Sequence, residues 1–198
     1  MKTQTYHLKI TLITPLLGSQ STRAVATEFI AKKNGFELSE AEAEMLPDAL
    51  ERGTTVFHRN QADQPCMMNY QILGFLKASA QVQNGRVTGG VKALRSKVAN
   101  QVFISPLVLP LKLPEGGMLD YCERPLRAET AMGPRVALVR SEQAPAGTVI
   151  ECGLEVMEGE ITEDVIRDLL DYGYFRGLGQ WRGSGAYGCF RYELTRED

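Results

Sequence analysis

Tyr6, Leu8, Ile10 and Leu12 are apolar, with His7, Lys9 and Thr11 between them. A period of two sends alternate side chains to opposite faces, so this segment predicts a half-buried β-strand ended by a turn at 15–18. Beyond it, Ser21 or Thr22 is placed to cap a short helix through Lys33, with Val25, Phe29 and Ile30 on its apolar side. Ser39 followed three residues later by Glu42 is a capping box for a second helix, which Pro47 interrupts and Gly53 ends. Residues 56–58 and 66–70 flank a turn-rich stretch and predict a hairpin. Ile72, Phe75, Leu76, Ser79 and Ala80 recur at three and four residues, the stripe of a helix buried on one side. After the break at 85–90, residues 91–98 predict another helix, with Lys92, Arg95 and Lys97 on its polar side.

The second half reads as mostly strand. Residues 102–113 are apolar but carry Pro106 and Pro110, with Pro114 just beyond. Proline cannot donate to a sheet ladder, so an edge strand or extended arm fits better than a central strand. Strands are expected at 121–127 and 136–141 around a flexible 131–134, and a tight turn at 145–147 opens a strand at 148–157. Thr162 caps a helix through Tyr172, with Glu163 and Asp164 in its first turn and Val165, Ile166, Leu169 and Leu170 inside. Gly173 is its expected stop. A glycine-dense segment, 177–188, leads into a last strand through Leu194. This order predicts an α+β fold, compatible with a ferredoxin-like (RRM-like) core carrying helical and hairpin insertions.

Composition narrows the class. At 198 residues, 43% hydrophobic and 23% charged, the chain can bury a core, and wholesale disorder is excluded. No apolar run approaches the roughly 20 residues of a membrane span, and the N-terminus lacks an apolar signal core, so a cytoplasmic location is expected. Cys66, Cys122, Cys152 and Cys189 form no CxxC pair and are joined by only two histidines, so reduced thiols are expected and neither metal nor cofactor is.

The net charge is -2, but it is unevenly spread. Between Glu28 and Glu51 seven acids face two lysines; between Arg86 and Arg140 nine bases face four acids. One face is expected to attract phosphate while another repels it. Within 176–188, Gly177, Gly179, Gly183, Gly185 and Gly188 free the backbone, Arg176 and Arg182 are phosphate ligands by type, and Trp181 offers a base-stacking ring. Neither a dinucleotide fingerprint nor a P-loop fits: the loop follows a helix and opens a strand, its glycine spacing misses GxGxxG, and no GK[ST] ends it.

Four stretches in order resemble the RAMP superfamily, the CRISPR-associated proteins that form effector backbones and process guide RNA. They are residues 8–18 (LKITLITPLLG), 70–80 (YQILGFLKASA), 135–156 (RVALVRSEQAPAGTVIECGLEV) and the glycine-rich 177–190. The run Cys122-Glu-Arg-Pro-Leu-Arg127 also resembles small phage and prophage proteins. The resemblance implies a single RAMP-like domain over 1–198, with insertions around 20–55 and 85–135. It implies a sheet face and glycine loop that hold single-stranded RNA or DNA by its backbone, in repeated copies or beside other CRISPR-like subunits. Lys77, Lys92, Arg95, Lys97, Arg124, Arg127, Arg135 and Arg140 are the candidates for further contacts.

Catalysis finds little support in the residues. The cleaving backbone subunits of that superfamily carry a flexible-loop aspartate, and residues 18–24 contain none. His58 is the one histidine placed for acid/base work, beside Arg59 at the expected hairpin, and Gly183-Ser-Gly185 lacks the full GxSxG frame. The leading expectation is therefore non-catalytic, sequence-tolerant nucleic-acid binding. A metal-independent RNA endonuclease using His58 is the first alternative, and a phage counter-defence or assembly protein that binds a protein partner through its acidic segment is the second.

Overall fold

The structure is a computed structural model that describes residues 2–22, 25–26, 53–130, 133–183 and 185–197, with only the backbone of 126–130 and 134–137. The alternating opening segment is strand β1, Thr3–Leu12, whose Tyr6, Leu8, Ile10 and Leu12 are buried. Strand β2, Leu16–Leu17, and β3, Gln20–Ser21, follow at once. Thr22 Oγ1 accepts the Val25 N–H at 3.4 Å. The helices expected through Lys33 and after Ser39 otherwise lie outside the described residues.

Strands β4 (Thr54–Val56), β5 (His58–Arg59) and β6 (Pro65–Met68) come next, β5 and β6 forming the expected hairpin. Helix α1, Asn69–Val82, buries the stripe Ile72, Phe75, Leu76, Ser79 and Ala80. Helix α2 begins only at Leu94 and runs to Gln101, because Ala93 takes a left-handed φ of 52° that a helix cannot propagate. The proline-bearing apolar stretch is split at the cis Ser105–Pro106 bond into β7 (Val102–Ser105) and β8 (Val108–Pro110), which pair in different sheets. A long hairpin follows, β9 (Asp120–Thr130) and β10 (Gly133–Ala144), then β11 (Val149–Met157), helix α3 (Glu163–Asp171) and β12 (Phe190–Glu197).

The main sheet has the order β12-β1-β11-β7, and each strand pairs antiparallel with its neighbour. Counting only these core strands, the order is fourth, first, third, second, with α1 between the first two and α3 between the last two. That is the ferredoxin-like arrangement, and the fold is α+β as expected. Helices cover one face, where Leu8, Ile10, Leu154, Ile72, Leu76, Ile166 and Leu169 are fully buried. Each such aliphatic side chain contributes about 1.5–3 kcal/mol relative to exposure.

A second sheet, β2-β10-β4-β3 with β9 on the outside of β10, and a third, β5-β6-β8, are built from excursions out of this core. The region 85–135, expected as one insertion, contains core strand β7, so the chain leaves the core there twice.

Thr162 Oγ1 accepts the Val165 N–H at 3.4 Å, the cap expected for α3. Gly173 acts differently from its expected role. The helix tightens into a 3-10 turn, Tyr172–Tyr174, and Gly173 is required by space: a Cβ there would stand 2.1 Å from the Phe190 ring.

Candidate nucleic-acid interface

The glycine-rich loop lies on the β1–β2 turn and against the β9–β10 hairpin. Leu178 is fully buried and anchors it; its N–H donates to the Gly188 carbonyl at 2.9 Å, and the Gly188 N–H donates to the Pro15 carbonyl at 2.7 Å. The Cys189 N–H donates to Thr14 Oγ1 at 2.9 Å. Most of its glycines serve close packing. A Cβ at Gly177 would meet the Gly188 carbonyl carbon at 2.1 Å, one at Gly179 the Leu17 carbonyl oxygen at 2.7 Å, and one at Gly185 the Trp181 carbonyl oxygen at 2.4 Å. Only Gly183 faces open space, with Arg176 Nη1 at 4.0 Å the sole atom near its missing Cβ. Gly183 is thus the one loop glycine whose side-chain position is open, and neighbouring backbone or side-chain atoms fill that position at the others.

Three arginines frame this loop. Arg124, on β9, stacks its guanidinium 3.7 Å from the centroid of Trp181 and 4.8 Å from that of Tyr187, and the Tyr187 hydroxyl lies 3.4 Å from Cys122 Sγ. Trp181 was expected to be a free stacking ring; one of its faces is instead taken by a cation, an arrangement worth about 0.5–2 kcal/mol. Arg176 is half-buried, Arg182 is exposed, and neither has an ion pair among the described residues.

Among the described residues Arg124 Nε and Nη2, Arg140 Nε and Arg176 Nε are buried without a hydrogen-bond partner. An unsatisfied buried donor costs about 1–3 kcal/mol and more when charged. In Arg124 the two orphaned nitrogens are the neighbouring pair that forms the side-on fork for a bidentate oxyanion. Two non-glycine residues of the same loop, Trp181 (φ 55°) and Ala186 (φ 53°), hold left-handed backbone.

The remaining candidates do not all gather here. Arg140 stands opposite Glu123 in the hairpin register and Arg124 opposite Val139, so the two arginines project from opposite faces of the ribbon. Arg140 stacks 3.8 Å over Tyr121 and pairs with Glu123 at 3.5 Å. Arg127 and Arg135 sit at register positions opposite Val136 and Ala128, and their side chains lie outside what is described. Lys92, Arg95 and Lys97 belong to the region of α2, which packs on α1 and β7 at the sheet edge away from β12. There Lys97 pairs with Glu160 at 2.5 Å and Arg95 donates to Gln81 at 2.9 Å. Lys77 is half-buried on α1.

The open sheet face, expected to help hold the strand, carries carboxylates paired with its lysines, and Arg191 stands opposite Thr11 on it. Glu193–Lys9 (2.8 Å) and Glu151–Lys112 (2.6 Å) run across it, and Glu155 stands beside them. The Lys112 ammonium holds the Glu151 carboxyl below the usual carboxylate range. The loop borders the second sheet rather than this face, so the cationic ground is the junction of loop and hairpin.

His58 is half-buried; burial lowers its pKa from 6.5, and its Nε2 lies 3.3 Å from the Tyr70 hydroxyl. It lines a cavity of about 10 Å³ with Ser19, Gln71 and Gly179, room for one water and no substrate. Next to it, the buried Glu142 carboxylate binds the Arg59 guanidinium and accepts the Phe57 N–H at 2.8 Å. Cys66, Cys152 and Cys189 are buried free thiols and Cys122 a half-buried one, and burial pushes Cys152 up to about 12. Among the described residues no three His, Cys, Asp or Glu converge on a metal position. Among them, too, no helix is long and apolar enough to cross a membrane.

Sequence reasoning missed Tyr187 and Tyr121, the aromatic partners of Arg124 and Arg140, and the Glu142–Arg59 pair. The signal for the tyrosines was their interleaving with arginine in Tyr121-Cys-Glu-Arg124 and Arg182-Gly-Ser-Gly-Ala-Tyr187.

Fold and site together define an α+β protein with a ferredoxin-like core and an arginine-aromatic cluster at its glycine loop. Among the solved structures it matches is a chain of the Type III-B Cmr-beta bound to cognate target RNA, with a TM-score of 0.56 and 14% identity. The match covers 98% of this chain but only 61% of that one. The likeness is one of fold. No protein-family model and no curated protein matches the chain.

Proposed function

We infer that this protein binds single-stranded nucleic acid, RNA foremost, by its phosphate backbone at the junction of the glycine loop and the β9–β10 hairpin, as a non-catalytic member of a CRISPR-like assembly. The observation that carries this reading is Arg124, stacked on Trp181 and Tyr187 with Nε and Nη2 unpartnered among the described residues, beside Arg176 and Arg182, which make no ion pair there. Guanidinium groups bind phosphate without reading bases, which makes the interaction tolerant of sequence. The RNA in the Cmr-beta structure favours RNA as the strand.

Because the orphaned nitrogens are covered, phosphate engagement by Arg124 requires neighbouring atoms to shift.

The test is the salt dependence of binding to a single-stranded RNA. Three phosphate contacts give a slope of about -2 in log affinity against log salt, and Arg182→Ala lowers its magnitude by about 0.7. Absent or salt-independent binding to every single-stranded oligonucleotide overturns the reading.

A further inference from the structure

With Arg124 on Trp181, two exposed aromatic rings lie six and seven residues earlier. Tyr174 and Phe175 are 51% and 71% exposed and form an edge-to-face pair with centroids 5.2 Å apart. Their backbone is held by the 3-10 turn, in which the Phe175 and Arg176 N–H groups donate to the Tyr172 carbonyl at 3.1 and 2.9 Å. The turn therefore fixes the backbone from which both rings project.

They wall an open groove of about 560 Å³ between the end of α3 and β12, with Leu170, Asp171, Arg191 and Tyr192. That volume lies within the range of small-ligand sites. The groove's other polar groups are engaged internally. Arg167 binds Glu163 and the Leu194 carbonyl, and the Tyr192 hydroxyl sits 2.9 Å from Asp171 Oδ1. Arg191 has no ion pair among the described residues, and Phe175 is followed directly by Arg176 of the loop.

We propose that this groove is a nucleobase site: a base of the bound strand stacks on Tyr174 and Phe175, and the neighbouring Arg176–Arg182 loop takes the adjoining phosphate. The proposal rests on the loop being the phosphate-binding site, since the groove continues that site along the chain. Arg176, which follows Phe175 directly, and Arg191 on the wall of the groove favour an anionic polymer over an apolar protein segment. Stacking on these rings tolerates every base, because every base has a π-face.

The experiment uses a short single-stranded RNA carrying one 2-aminopurine, and an abasic oligomer of the same length. Phe175→Ala and Tyr174→Ala each weaken binding of the base-bearing strand about five- to a hundredfold and abolish 2-aminopurine quenching. Affinity for the abasic oligomer and the salt slope stay as in the parent protein, and the urea midpoint is unmoved because both rings are exposed. If Phe175→Ala binds RNA like the parent while Arg182→Ala loses affinity, the groove proposal falls and the loop reading stands. If the parent protein binds no oligonucleotide, both fall. If Phe175→Ala instead dissolves a self-associated species at unchanged RNA affinity, the occupant is a second copy and the proposal is overturned.

Discussion

At the scale of single residues, the clearest effect is that neighbours reassign chemistry. Trp181 is a base platform by type, yet Arg124 lies over it with its Nε and Nη2 unpartnered among the described residues. His58 is an acid/base candidate by type, but it faces Tyr70 and a cavity that admits one water. Its titration still has a consequence for stability. Burial holds its folded-state pKa below 6.5, so as pH falls through 6.5 the unfolded chain takes up the proton first and the native state loses stability. The loss continues until the folded pKa is passed and is level below it. Urea unfolding midpoints followed from pH 8 to 5 are expected to fall more in the parent protein than in His58→Gln; parallel curves exclude this linkage.

At the scale of elements, the glycine loop separates two uses of glycine that sequence shows as one. Gly177, Gly179 and Gly185 are small because backbone crosses backbone, whereas Gly183 borders open space with φ 81°. Gly177→Ala must displace the 188–189 backbone, and overpacking of this kind costs about 1–3 kcal/mol. Gly183→Ala meets only the left-handed penalty, about 1–2 kcal/mol. Thermal unfolding is expected to show Gly177→Ala as the more destabilised, with RNA affinity lost through the loop's detachment; equal melting points contradict this division of roles. The helices and strands of the core were legible because burial repeats at 2 or at 3.6 residues, as in β1, α1 and α3. The start of α2 was not, because Ala93 adopts its left-handed conformation without glycine or asparagine to signal it.

At the scale of the whole molecule, the second sheet is tied back to the first excursion of the chain by a buried carboxylate. Glu142 on β10 holds Arg59 and the Phe57 N–H, and Thr55 Oγ1 donates to Ser141 Oγ at 2.9 Å. Hydrogen bonds to charged groups contribute about 1.5–3 kcal/mol each, and the part-exposed Arg59 keeps the ion-pair share at the lower end. Glu142→Ala is therefore expected to lower stability by about 2–4 kcal/mol in urea unfolding, and to loosen the hairpin that carries Arg124. A change below 0.5 kcal/mol contradicts the pinning role.

From the sequence alone came the α+β order, the faces of β1, α1 and α3, the capped start of α3 and the cluster of candidates around 176–183. These depend on local periodicity and on short-range hydrogen bonds, which neighbouring residues encode. Only tertiary structure decided that strands β1 and β11 lie side by side, and that Arg124 and Arg140 face opposite ways. It alone set Trp181 beneath a guanidinium while Tyr174 and Phe175 stay open. Such outcomes depend on which distant segments meet, and a contact between residues about 60 apart leaves no periodic trace along the chain.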